Sequence, residues 1–66
     1  MYLETVVDVV FKLFPDKILI YSREKLIFNG YLRDFIRNNE FDNLIVDTYE
    51  YENKVYKTML IRVMEE

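Results

Sequence analysis

Carboxylates are the main acid–base groups in this chain: it has twelve Asp and Glu and no histidine or cysteine. Without imidazole or thiol, no side chain titrates near neutral pH at its ordinary value. Ser22 has no activating base nearby in sequence. The single glycine, Gly30, cannot make a phosphate-cradling loop. A pair such as Asp47 and Glu50 has the chemistry of a general acid and base, but twelve carboxylates make chance pairs inevitable. The expectation is a protein with no catalytic residue, not an enzyme. The usual zinc ligands are absent, and carboxylates near Asn53 match no EF-hand spacing. No metal ligand and no cofactor is therefore expected.

The second feature is an acidic run. Glu40, Asp42, Asp47, Glu50 and Glu52 occur with no Lys or Arg between positions 38 and 53. Such residues ordinarily form a solvated loop, strand edge and turn. Spaced on a rigid surface, they also suit a site built for phosphates, by charge complementarity. That reading makes the chain an inhibitor of a nucleic-acid enzyme, anti-CRISPR-like, encoded by a phage or mobile element. Net charge is −3 and the pI near 4.9, which argues against direct nucleic-acid binding. No apolar stretch nears the ~20 residues of a membrane span, and no secretory signal opens the chain. The expected location is the cytoplasm, with no membrane partner.

These residues must be held by some scaffold, and hydrophobic spacing suggests which. Leu3, Val6, Val7, Val10, Leu13 and Phe14 share one helical face within 2–14. Pro15 disfavours helix at Phe14 and should end it. Residues 17–22 and 26–29 read as strands of a β-hairpin around Arg23-Glu24-Lys25. Gly30 is expected to supply an unusual backbone geometry where strand passes to helix. Leu32, Phe35 and Ile36 then fit a short helix, which Asn38-Asn39 stops.

Residues 43–51 and 54–64 alternate as a second hairpin turning at Glu52-Asn53. This register sets Val46 opposite Met59, Leu44 opposite Ile61 and Glu50 opposite Val55. The other face pairs Tyr49 with Tyr56 and Ile45 with Leu60. A one-residue slip would exchange the faces of one strand. The order α-β-β-α-β-β predicts a single α+β domain over residues 1–66: two layers, a four-stranded, mainly antiparallel sheet, and helices on one face. The expected core is Leu3, Val6, Val7, Val10, Ile18, Ile20, Phe28, Leu32, Phe35, Ile36, Leu44, Val46, Met59, Ile61 and Val63.

The uncovered sheet face would then carry Leu19, Tyr21, Ile45, Tyr49, Tyr51, Tyr56 and Leu60. A solvated face should be mostly polar. Cross-strand tyrosine pairs alone stabilise a sheet by roughly 0.2–1 kcal/mol each. The three aliphatic residues favour a contact surface instead. The leading expectation is a non-enzymatic protein-interaction module, binding itself as a homodimer or an unknown protein partner. The inhibitor with an acidic surface is the alternative, and a purely structural subunit is the third. Base stacking on the tyrosines would need more basic neighbours than Lys54 and Arg62.

Lys17-Ile18-Leu19-Ile20-Tyr21, the first hairpin, Phe28-Asn29-Gly30, Leu32 and Asp34-Phe35 resemble a class of small uncharacterised proteins. These are encoded by low-GC Gram-positive bacteria, their phages and mobile elements. The resemblance spans about residues 9 to 63 and rests on layout. It implies an accessory or host-interacting role and transfers no site residue.

Overall fold

A computed structural model describes residues 3–64. Helix α1 (Val6–Leu13) leads to strands β1 (Lys17–Ser22) and β2 (Lys25–Tyr31). Helix α2 (Leu32–Arg37) and a turn of 3-10 helix (Asn39–Phe41) follow, then β3 (Val46–Asn53) and β4 (Thr58–Val63). The start expected for the first helix, position 2, lies outside the described residues. Within them α1 begins only at Val6, because Thr5 and Asp8 cap it reciprocally. The Asp8 N–H donates to Thr5 Oγ1 at 3.4 Å, and the Thr5 N–H donates to Asp8 Oδ2 at 3.2 Å. Thr5 is itself extended and bridges Ile45. At the other end Phe14 turns left-handed, with φ 48, and Pro15 follows.

The strands form one open sheet in the order β2-β1-β4-β3. The β1–β2 and β3–β4 pairs are antiparallel and the central β1–β4 pair is parallel. The sheet is mixed, mainly antiparallel, and the fold is α+β as its periodicities imply. Ile18 and Ile20 of β1 pair in register with Met59 and Ile61 of β4, and all four are fully buried. Val6, Val9 and Val10 of α1 and Phe35 of α2 join them in one cluster with Val46 and Val63. Both helices thus cover the same sheet face. Phe28 stands between Phe35 and Phe41, with ring centroids 6.0 and 5.6 Å away.

Several details depart from the sequence-based expectation. Leu3 and Ile36 are half exposed rather than core. With the helix starting at Val6, its buried stripe is Val6, Val9, Val10 and Leu13, so Val9 enters the core and Val7 moves to the flank. Phe28, Leu32 and Leu44 pack against the core from its margin. Gly30 has no left-handed backbone. It lies within β2 opposite Ile18, and its reason is space: a Cβ there would stand 3.0 Å from Phe28 Cζ and 3.3 Å from Asp34 Cβ.

The second hairpin turns later than expected. Asn53 Oδ1 accepts from the N–H groups of Val55 and Tyr56, at 3.0 and 3.2 Å, and organises a turn over 54–57. Tyr49 therefore faces Ile61 and Tyr51 faces Met59, in place of the expected pairs. A register irregularity between Val46 and Thr48 returns Val46 to the core side, opposite Val63.

Candidate functional site

The sheet face away from the helices is built from alternate residues of each strand, and pairing aligns them in three rows. Across β2, β1, β4 and β3 the rows read Tyr31, Lys17, Thr58, Asn53; then Asn29, Leu19, Leu60, Glu50; then Leu26, Tyr21, Arg62, Thr48. No helix lies over this grid. Its centre is apolar, with Leu19 beside Leu60 and Tyr21 next along β1. Leu26 and Tyr31 extend the apolar surface along β2, 42% and 55% exposed. The charges are Lys17 and Arg62 on the central strands and Glu50 on outer β3.

The β3–β4 turn adds a lip at one end. Val55 is 83% exposed and Tyr56 70%, yet the turn is well anchored. Besides the Asn53 bonds, Lys57 carbonyl oxygen accepts from the backbone N–H groups of Asp16 and Lys17 at 3.0 and 3.3 Å. Val55 and Tyr56 line a concavity of about 480 Å³ with Asp16, Lys17, Tyr31 and Thr58. The lip thus continues the first row of the grid. Among the described residues, four of the ten exposed large hydrophobics lie on the face or the lip: Leu26, Tyr31, Val55 and Tyr56.

The seven residues expected on this face divide. Leu19, Tyr21 and Leu60 are on it, and Tyr56 is on the lip. Tyr49 and Tyr51 point to the helix side, because the later turn shifts the register by an odd number of residues and exchanges the faces. Tyr51 packs against the core. The Tyr49 hydroxyl accepts from Lys12 Nζ at 3.1 Å, and that ammonium lies 5.3 Å from the Tyr49 ring centroid. Lys12 also pairs with Glu4. The Glu4 bond first, and the Tyr49 bond second, push the Lys12 pKa up to about 12. Ile45 precedes β3, in the bridge to Thr5. Leu26, Tyr31 and Val55 belong to the surface but escaped the sequence reading. Tyr31 and its alternation with Asn29 were the available signal, hidden by ending the strand at Asn29.

The five expected acidic residues do not converge. Glu40 is in the 3-10 turn, Asp42 follows it, and Asp47, Glu50 and Glu52 belong to β3. Among the described residues no group of three or more Asp and Glu is placed to hold a metal ion. Ser22 lies elsewhere, at the margin of an open groove of about 850 Å³ on the helix side. That groove opens beside Leu3 and Met64, the first and last described residues. Among the described residues, no helix is long and apolar enough to cross a membrane. The chain matches no protein-family model, no curated protein and no solved structure.

Proposed function

We propose that this chain is a non-enzymatic protein-interaction module of the cytoplasm that docks a protein through its uncovered sheet face. The observation that carries the reading is the central Leu19, Leu60 and Tyr21 patch, left without a covering helix and continued by exposed Leu26, Tyr31, Val55 and Tyr56. A solvated antiparallel face normally alternates to polar residues. Here the polar groups ring an apolar middle, as in the core and rim of a protein interface. The test places a photo-cross-linking amino acid at position 60, in cells that express the protein. A control carries it at position 39, an exposed site in the 3-10 turn. Cross-linking to protein from position 60, well above position 39, is expected. Equal or absent cross-linking from position 60 refutes the reading.

A second reading draws on edge strand β3, where Asp47, Glu50 and Glu52 are all exposed. An inhibitor of a nucleic-acid enzyme would present that edge to a basic groove, as phage- or mobile-element-encoded proteins can. Its binding would weaken with salt and with Glu50→Lys plus Glu52→Lys. Salt-insensitive binding would remove it.

A further inference from the structure

We infer that the occupant of the open face is a second copy of this chain, packed about a two-fold axis parallel to the strands, with Leu19 against the partner's Leu60 and Tyr21 against the partner's Arg62. This deepens the docking reading and rests on it. The grid itself supplies the argument. Its two middle columns are β1 and β4, which run parallel with Leu19 level with Leu60 and Tyr21 level with Arg62. A rotation about an axis lying between them, along the strands, lays β1 on the partner's β4 and β2 on the partner's β3. The rows stay level. Leucine meets leucine twice at the centre. Each Arg62 guanidinium meets a phenol ring, a favourable cation–π pair. Each Glu50 meets the partner's Asn29, whose amide can donate to it, and each Lys17 meets the partner's Thr58. No like charges oppose one another.

A second face-to-face two-fold that keeps the strands of the two copies aligned runs across the strands. With Leu19 and Leu60 kept central, it sets Glu50 on the partner's Glu50 and Asn29 on the partner's Asn29. Opposed carboxylates in a closing interface are costly, so charge selects the strand-parallel axis. Area sets the strength. Four strands about 4.8 Å apart and about six residues long give a projected footprint on the order of 400 Å². That is about half of the ~800 Å² per partner of a standard interface, before the Val55 and Tyr56 lip is added. The dimer is therefore a weak one that dissociates on dilution.

The chain has no cysteine, so an introduced one is unique. The experiment combines sedimentation equilibrium of the purified protein with cross-linking of Asn29→Cys and Glu50→Cys variants, on the two outer strands of the middle row. A short bis-maleimide serves to span the ~10 Å between packed sheets. The expected weight-average mass climbs from one copy toward two between micromolar and millimolar protein. Mixed variants should give 29-to-50 cross-links, about 10 Å apart, at least about tenfold above 29-to-29 links from the Asn29→Cys protein alone, which three strand spacings put about 17 Å apart. Leu60→Lys, whose cation sits beside Glu50 on the neighbouring strand, should remain folded by circular dichroism and be monomeric. Dominant 29-to-29 links overturn the axis. A wild type that stays monomeric throughout overturns the second copy. If position 60 still photo-cross-links to another protein in cells, the docking face stands without the dimer; if it does not, both fall.

Discussion

Substituting Gly30 by alanine sets two effects of known sign against each other. Gly30 has no positive φ, so alanine can adopt its backbone. Restricting the unfolded chain would then stabilise by about 0.4–1 kcal/mol. Against this, the new methyl meets Phe28 Cζ at 3.0 Å and Asp34 Cβ at 3.3 Å. Neither neighbour yields readily. The Phe28 ring is wedged between Phe35 and Phe41. Asp34 Oδ2 accepts the Tyr31 N–H at 3.2 Å and so pins the start of α2. Overpacking of this kind costs about 1–3 kcal/mol, so the net expectation is a loss of about 1 kcal/mol. In a domain of this size that lowers the thermal midpoint by roughly 4–8 °C. Urea unfolding followed by far-UV circular dichroism measures it. The decisive comparison is Gly30→Ala in a Phe28→Leu background, where the clashing Cζ is gone and the substitution should become neutral or stabilising. A Gly30→Ala protein as stable as wild type, or one with the same loss in both backgrounds, would refute the packing argument.

Other perturbations follow from single features. Phe35 is the only buried residue of α2, and Phe35→Ala should cost about 3–5 kcal/mol. That is comparable with the whole stability of such a domain, about 0.05–0.15 kcal/mol per residue, so the variant should lose its cooperative thermal transition. Glu24 holds φ 65 in the β1–β2 turn, and Glu24→Gly should stabilise by about 1 kcal/mol in urea titration by removing left-handed strain. Lys12 has a folded pKa raised from 10.5 to about 12 by Glu4 and Tyr49. Its pairing therefore supports the fold fully below pH 10.5 and is lost as pH rises through 12. The thermal-midpoint difference between wild type and Lys12→Met should be level from neutral pH to about 10 and shrink steeply from there toward 12.

Periodicity made much of this architecture legible, and its failures have specific physical sources. The β1 strand, α2 and the α-β-β-α-β-β order follow from apolar spacing and from Pro15, whereas Asn29-Gly30, expected to end β2, lies inside it. The core residues of β4 were also readable, because Met59, Ile61 and Val63 alternate without interruption. The docking surface was read only in part. Leu19, Tyr21 and Leu60 belong to β1 and β4, the central strands with regular alternation over this stretch. Tyr49 and Tyr51 belong to β3, where register irregularities lie on both sides. An irregularity has no compositional mark of its own, and one extra residue sends every following side chain to the opposite face. The turn was misplaced for a related reason. Glu52-Asn53 looks like a two-residue turn, but Asn53 bonds forward to Val55 and Tyr56 and begins a longer one. The parallel β1–β4 pairing joins strands about forty positions apart, and nothing local encodes it.

The edges of the sheet bear on why association should use its face. An open sheet offers unpaired backbone groups along both outer strands, and lateral addition of another strand is the ordinary hazard. On β3 that route is guarded by charge and shape. Asp47, Glu50 and Glu52 would meet an incoming copy of themselves, the strand is irregular at two points, and Thr5 already bridges Ile45 just ahead of it. On β2 the register breaks where Ile20 and Tyr21 pass from Phe28 to Leu26, and the chain enters α2 directly after Tyr31. Both edges thus carry the interruptions that discourage strand addition. The central face carries none: β1 and β4 keep an unbroken five-residue register and hold Leu19 and Leu60 level in the middle. Blocked growth at the sides and an unguarded apolar centre together favour a closed pair over an extended array. On that reasoning, raising the concentration of wild-type protein should carry its mass to two copies and no further, and open-ended growth in sedimentation would show that an edge, not the face, is the contact.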